Sequence, residues 1–101
     1  MKVLIVCSGG MSSAIVVKAI EKEAARQDIK ITVKAVGTGE VEDELKNGWG
    51  LLLVAPQVRH RLDELKAKAG TCEIPVALIP PQGYTPFGGA MVLDEILKHM
   101  V

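Results

Sequence analysis

The chain has 101 residues, of which 49% are hydrophobic and 24% are charged. This composition is typical of a single compact domain, residues 1–101, with one core, and it argues against a disordered chain. The 12 basic and 12 acidic side chains cancel, so the overall charge does not favour nucleic acid or an anionic membrane surface as a partner.

The first half of the chain predicts two strands with a helix between them. The segment "KVLIV" at 2–6 is apolar and β-branched, which predicts a buried strand. A helical pattern follows from Ser12 to about Gln27, with apolar side chains on one face and charged ones on the other. Residues 30–36, "KITVKAV", alternate like a second strand, and a short helix is expected near Val41–Lys46.

The second half predicts two further strands, each followed by a helix. Residues 50–55, "GLLLVA", read as a buried strand, and the following helix is expected over 57–69. Residues 75–79, "PVALI", read as the fourth strand. A loop rich in proline and glycine at 80–89 then leads to a last helix over 90–99.

This alternation of strands and helices predicts an α/β fold with a four-stranded, open, parallel sheet and helices on both faces. In a flavodoxin-like arrangement the strand order is 2-1-3-4, which places the third strand beside the first. Ligands of such sheets bind beyond the carboxyl ends of the strands. Cys7 lies at one such end, directly after the first predicted strand.

The segment after the first strand carries the strongest chemical signal. It consists of Cys7, Ser8, Gly9, Gly10, Met11, Ser12 and Ser13. Glycines allow backbone N–H groups to converge, and such an array ahead of a helix binds anions. The same field stabilises a thiolate, which favours Cys7 as a nucleophile and residues 8–13 as a phosphate-binding loop. The plainer interpretation, a small buried cysteine followed by helix-capping serines, explains this combination less well.

The absence of an arginine from this loop distinguishes a phosphoryl carrier from a phosphatase. Low-molecular-weight tyrosine phosphatases have a similar strand–loop–helix, with an arginine six residues after the cysteine. That position is Ser13 here, so the loop lacks the guanidinium that stabilises a transferring phosphoryl group. The loop therefore suits a phosphoryl carrier. A cysteine-dependent phosphatase or arsenate reductase, or a non-enzymatic flavodoxin-like binding module, stays open as an alternative.

Several segments resemble the enzyme IIB components of the sugar phosphotransferase system, lactose/cellobiose (chitobiose) type. The strongest match is "VLIVCSGGMSS" at 3–13, and "LLLVAPQV" at 51–58 resembles the family's third strand with its following Pro-Gln. Tyr84 and Gly88 are similar to a tyrosine and a later glycine in the loop after the fourth strand. Ala55 and Thr85 depart from the common pattern, which has glycine at both positions in many members.

The resemblance implies a phosphotransferase that works through a phosphocysteine. Family members accept a phosphoryl group from a phosphohistidine of enzyme IIA, hold it on the residue equivalent to Cys7, and pass it to a sugar carried by the membrane enzyme IIC. A β-linked disaccharide such as cellobiose, chitobiose or lactose is the expected sugar. No metal or cofactor is implied. Transfer requires a docking surface around Cys7, to which Met11 and loop 80–89 are expected to contribute.

The remaining expectations concern compartment and the rim of the site. Two cysteines without metal-ligand spacing, and no signal peptide or membrane-spanning run, favour a cytoplasmic protein without membrane insertion. Met1 and the compact length favour a separate chain over part of a fusion. Gln57, Arg59, His60 and Tyr84 are candidates for a rim or partner contact. Alternatively, Arg59 and its charged neighbours form a solvated helix face, and His60 is a plain surface residue. Tyr84 either approaches the phosphate loop or anchors its own loop with its hydroxyl in water.

Overall fold

A computed structural model of the protein describes residues 1–8 and 12–99, and for positions 12 and 13 the backbone alone. In these ranges the strands form one four-stranded sheet in the order β2-β1-β3-β4, with every neighbouring pair parallel. The strands are β1 (Lys2–Cys7), β2 (Thr32–Gly37), β3 (Leu51–Val54) and β4 (Val76–Leu78). The predicted strand order and parallel direction are both confirmed.

The register of the sheet brings the carboxyl ends of the strands to one edge. Cys7 pairs with Gly37 of β2, and Val6 pairs with Val54 of β3. Val54 in turn pairs with Leu78, the last residue of β4. The segments that follow the strands therefore share the carboxyl edge of the sheet, which is where parallel sheets bind ligands.

Helices cover both faces of the sheet, as predicted. They are α1 (Ser12–Arg26), α2 (Val41–Glu44), α3 (Leu62–Gly70) and α4 (Gly89–Lys98), with 3₁₀ turns at Leu45–Asn47, Pro56–Arg61 and Pro81–Gly83. Side chains alternate along the strands, so that Val3 and Ile5 pack under α1 and α4, whereas Leu4 and Val6 pack under α2 and α3. No helix within residues 1–8 and 12–99 is long and apolar enough to cross a membrane.

The segment after β3 differs from the prediction of one helix over 57–69. Residues Pro56–Arg61 form a 3₁₀ turn, and the α-helix begins only at Leu62. The break lies at Val58, whose backbone (φ −119°, ψ 20°) is not helical. Val58 is buried, and its N–H donates to the carbonyl of Ala55 at 3.0 Å. Inserting this side chain into the core requires a tight turn directly after the strand, which delays the helix by about one turn.

Candidate functional site

Cys7 is the last residue of β1 and lies at the carboxyl edge of the sheet. Its residue surface is 4% exposed, and it belongs to the apolar cluster under α2 and α3. The Sγ atom donates to the carbonyl oxygen of Val36 on β2 at 3.5 Å. In this structure the thiol is therefore shielded from water and held toward the neighbouring strand.

The predicted phosphate-binding loop is described only at its two ends. Ser8 is exposed directly after the strand, and α1 begins at Ser12. Gly9, Gly10 and Met11 lie outside the described residues, as do the side chains of Ser12 and Ser13. The helix thus starts five residues after Cys7, at the same edge of the sheet, which is the arrangement in which helix N–H groups attract an anion.

Three of the four predicted rim residues meet in one cleft at the carboxyl edge of the sheet, between the segments that follow β3 and β4. The Ala55 N–H donates to the Val6 carbonyl at 3.0 Å, which places the following 3₁₀ turn next to the end of β1. The cleft is open, has a volume of about 350 Å³, and is lined by Pro56, Gln57, Arg59, Pro81 and Tyr84. His60 is exposed on the same turn but is not among the lining residues.

Tyr84 connects the two halves of the core at this edge. Its half-buried ring packs against the apolar clusters on both faces of the sheet. Its hydroxyl oxygen is buried, so the alternative that placed this group in water is wrong. Tyr84 therefore fixes the loop after β4 against the end of the sheet while one side of its ring lines the cleft.

Two glycines explain how the loop after β4 joins the last helix. A Cβ atom at Gly88 would lie 2.2 Å from the carbonyl oxygen of Gly83, and one at Gly89 would lie 2.4 Å from that of Ala19 in α1. Neither position has room for a side chain, because real Cβ atoms do not approach backbone oxygen so closely. These glycines close the loop on itself and bring the start of α4 against α1.

Phe87, between these packed glycines and Pro86, is the feature of this loop that sequence reasoning missed. It is 96% exposed. Its N–H donates to Thr85 Oγ1 at 3.2 Å, which holds the turn that displays the ring. The signal was present in the sequence, since a large apolar residue inside a proline- and glycine-rich loop has no strand or helix to bury it.

The two arginines near the cleft differ in whether an acidic side chain of the same segment binds them. Arg61 donates to both carboxylate oxygens of Glu64, at 2.8 and 3.1 Å. These hydrogen bonds hold the pKa of Glu64 below its ordinary value of 4.5 and raise the pKa of Arg61. The solvated-face interpretation thus holds for Arg61. Arg59 is exposed and forms no ion pair or side-chain hydrogen bond with the described residues.

The chemistry available at this edge is that of a thiol, backbone amides and a guanidinium. The described residues contain no group of three His, Cys, Asp or Glu side chains that could hold a metal ion. Cys7 and Cys72 are both free thiols, and Cys72 is exposed far along the chain, after α3. Of the two, Cys7 alone lies at the end of a strand where an anion site is expected.

Comparison with known proteins gives a consistent result. Residues 2–95 match the family described as "PTS system, Lactose/Cellobiose specific IIB subunit". The oligo-beta-mannoside-specific EIIB component of Bacillus subtilis is 26% identical over 99% of this chain and 96% of its own length. The lactose-specific EIICB component of Lactococcus lactis is 31% identical over 80% of this chain, but the match covers only 14% of that longer protein.

A solved structure agrees with these sequence matches. The lactose-specific IIB domain of Streptococcus pneumoniae superposes with a TM-score of 0.84 at 25% sequence identity, covering 100% of this chain and 98% of that domain. Fold, strand order and sequence therefore point the same way. The chain belongs to the lactose/cellobiose-specific IIB family of the phosphotransferase system, whose members are phosphotransferase domains.

Proposed function

We propose that this protein carries a phosphoryl group on Cys7 between two partners, the phosphohistidine of an enzyme IIA and a sugar held by a membrane enzyme IIC. The observation that supports this most directly is the position of Cys7. It ends β1 at the carboxyl edge of the sheet, five residues before α1 begins, in a chain of the IIB family. On this proposal residues 1–101 act as one IIB domain in the reducing cytosol.

Each transfer exchanges one bond to phosphorus for another. In the first step the Cys7 sulfur attacks phosphorus, an S–P bond forms, the N–P bond of the phosphohistidine breaks, and the thiol proton ends on the released imidazole. In the second step a sugar hydroxyl oxygen attacks, the S–P bond breaks, and the hydroxyl proton returns to the sulfur. Such transfers depend on positioning and charge stabilisation more than on further covalent chemistry.

The residues around Cys7 have distinct parts in this proposal. Ser8, Gly9, Gly10, Met11, Ser12 and Ser13 form the loop whose amides hold the phosphoryl oxygens. Gln57, Arg59, His60 and Tyr84 form the rim against which a partner rests. Because Sγ is shielded and donates to the Val36 carbonyl, it must turn away from β2 to meet the incoming phosphorus.

The partners must dock at this edge, since both have to reach Cys7. An exposed apolar residue beside the site supports such docking, and Phe87 in the loop after β4 is 96% exposed. The proposed sugar is a β-linked disaccharide such as cellobiose, chitobiose or lactose. The family description, lactose/cellobiose specific, supports this class, and so does a relative named as oligo-beta-mannoside-specific.

Hydrolysis is the less supported alternative. Phosphatases of the related loop type use an arginine six residues after the cysteine to stabilise the transferring phosphoryl group. That position is Ser13 here. A phosphorylated Cys7 is therefore expected to keep its phosphoryl group until an acceptor arrives.

A phosphorylation assay read by intact mass tests the proposal. The protein is mixed with phosphoenolpyruvate, the general phosphotransferase proteins and a lactose/cellobiose-type IIA. We expect one added phosphoryl group on the wild type and on Cys72→Ser, which removes the other free thiol, and none on Cys7→Ser. If the components phosphorylate a control IIB but several such IIA proteins leave this one unchanged, the carrier function is wrong.

A further inference from the structure

We infer that the cleft at the carboxyl edge, the edge at which Cys7 lies, receives an acidic side chain of the phosphoryl donor, and that Arg59 is the residue that binds it. This inference rests on the proposed function and adds to it a contact that selects the partner. The cleft is defined by its lining residues Pro56, Gln57, Arg59, Pro81 and Tyr84.

The first argument is that Arg59 is the one arginine left without a partner in the described ranges. The chain has three arginines. Arg26 pairs with Glu23 within α1, and Arg61 binds Glu64 with both its Nε and Nη2 atoms. Arg59 forms no such pair with residues 1–8 or 12–99. An arginine free to bind, beside a site for anionic chemistry, is suited to recognising a carboxylate.

The second argument is the way the backbone presents Arg59. Val58 is buried, with 3% exposure, and anchors the 3₁₀ turn to the core. Gln57 and Arg59, on either side of this anchor, are exposed and line the cleft together. The backbone of the turn is therefore fixed, and a guanidinium and a side-chain amide extend from it toward one occupant. A fixed backbone limits the entropy lost on binding to that of the two side chains.

The third argument is the chemistry of the cleft walls. Two prolines and the Tyr84 ring provide apolar surface, and Arg59 and Gln57 provide hydrogen-bond donors. An aspartate or glutamate, which has an apolar stem and a carboxylate end, matches both parts. Among the described residues, the cleft is lined from the segments after β3 and β4 and not by Cys7 or Ser8, which favours a side chain of the docked protein as the occupant.

Charge favours the donor over the sugar-carrying acceptor as the occupant's source. The donor arrives with an anionic phosphoryl group before Cys7 carries one, so a cation at the rim attracts it. After transfer, the negative charge resides on Cys7, at the same edge of the sheet, and offsets the attraction that Arg59 exerts. The same residue therefore helps the charged donor to bind and the discharged donor to leave.

The test compares Arg59→Gln with Arg61→Gln, a matched loss of one positive charge two residues away. Initial rates of Cys7 phosphorylation are measured against the concentration of phosphorylated IIA, at low and high salt. For Arg59→Gln we expect the KM for the donor to rise about threefold to tenfold, with little change in kcat and a weaker dependence on salt. Arg61→Gln is expected to keep wild-type values, and Arg59→Lys to recover part of the loss.

Other outcomes overturn the inference in identifiable ways. A fall in kcat at unchanged KM means that Arg59 acts on the phosphoryl group. Unchanged donor kinetics, with or without slower transfer to enzyme IIC, mean that the donor does not occupy the cleft. If the wild type takes up no phosphoryl group, the proposed function fails and the inference falls with it.

A double-mutant cycle identifies the occupant directly. Exposed carboxylates around the donor's histidine are changed one by one to amides and combined with Arg59→Gln. One of them is expected to show an effect that disappears when Arg59 is already changed. If the effects of all of them simply add to that of Arg59→Gln, no acidic side chain of the donor binds Arg59.

Discussion

Trp49 and Phe87 lie at opposite ends of the sheet and have opposite surroundings. Trp49 precedes β3 at the amino edge and is 7% exposed, whereas Phe87 follows β4 at the carboxyl edge and is 96% exposed. Trp49 Nε1 donates to Glu44 at 3.2 Å, and the Lys2 ammonium lies 4.7 Å from the centre of its ring. Among the described residues, the hydrogen bond of Phe87 comes from its backbone N–H, which donates to Thr85 Oγ1.

The contrast indicates that the amino edge of the sheet contributes to stability, whereas the carboxyl edge is suited to function. At the amino edge the large aromatic residue is covered and its polar atom is satisfied, which stabilises the fold. At the carboxyl edge a comparable ring stays in water, although burying it would gain about 1.5–3 kcal/mol. A docking partner that covers the Phe87 ring would gain this free energy of burial. The ring lies at the same edge of the sheet as Cys7.

The largest difference is expected in the free energy of unfolding when the aromatic side chain at each edge is removed. Trp49→Ala should lower the free energy of unfolding by about 3–5 kcal/mol, because it leaves a cavity and orphans polar neighbours. Phe87→Ala should change stability by less than about 0.5 kcal/mol, since the ring is in water. Chemical denaturation of both variants measures this difference.

For the rate of phosphoryl transfer, Phe87→Ala should have the larger effect and Trp49→Ala the smaller one. Phe87→Ala should slow phosphorylation by the donor about tenfold, the usual loss when an interface aromatic is truncated. Trp49→Ala should retain the wild-type rate once corrected for the fraction of folded protein. Equal stability losses in the two variants, or a normal transfer rate in Phe87→Ala, would remove the proposed division between the edges.

A smaller loss of stability is expected from a substitution at Gly88, in the loop that carries Phe87 at the carboxyl edge. The new Cβ of Gly88→Ala meets the Gly83 backbone, so the loop must shift at a cost of about 1–3 kcal/mol. Gly70→Ala is the matched control, because a Cβ there meets nothing within 4 Å. The control should leave the thermal unfolding midpoint unchanged or slightly raised. Similar losses in both variants would mean that close packing of the loop is not the cause.

Much of this architecture was predictable from local sequence patterns. The buried strands, the parallel order and the place of Cys7 follow from runs such as residues 2–6 and 50–55 and from the handedness of βαβ units. The 3₁₀ turn before α3 was not predicted, because it depends on how far Val58 reaches into the core. Periodicity reports which side chains are apolar, but not the depth of the space that receives them.

Local sequence patterns also do not predict which residues at the rim of the site are free to bind a partner. Sequence alone could not separate Arg59 from Arg61, which are two residues apart and have similar neighbours. Their difference arises because Glu64, one turn into α3, lies within reach of Arg61. Phe87 likewise lies next to two close glycine contacts, that of Gly88 with Gly83 in the same loop and that of Gly89 with Ala19 on α1. Local sequence patterns do not report such contacts.

The smallest effect is expected from the polar network of the amino edge. Glu44 accepts hydrogen bonds from Asn47, Lys34 and Trp49. These bonds, that from Asn47 first, hold the pKa of Glu44 below its ordinary value of 4.5. A carboxylate with a lowered pKa stabilises the folded state above its unfolded pKa, and this contribution is lost as the pH falls through the lowered folded value.

Glu44→Gln should therefore be less stable than the wild type at neutral pH, and the difference should shrink as the pH falls below 4.5. Urea unfolding at a series of pH values measures it. Asp43→Asn controls for net charge, because Asp43 lies on the same short helix, is exposed, and forms no ion pair or side-chain hydrogen bond with the described residues. Because the network lies far from Cys7, transfer rates of folded Glu44→Gln should equal those of the wild type. A slower transfer in this variant would show that the two edges are coupled through β1 and β3.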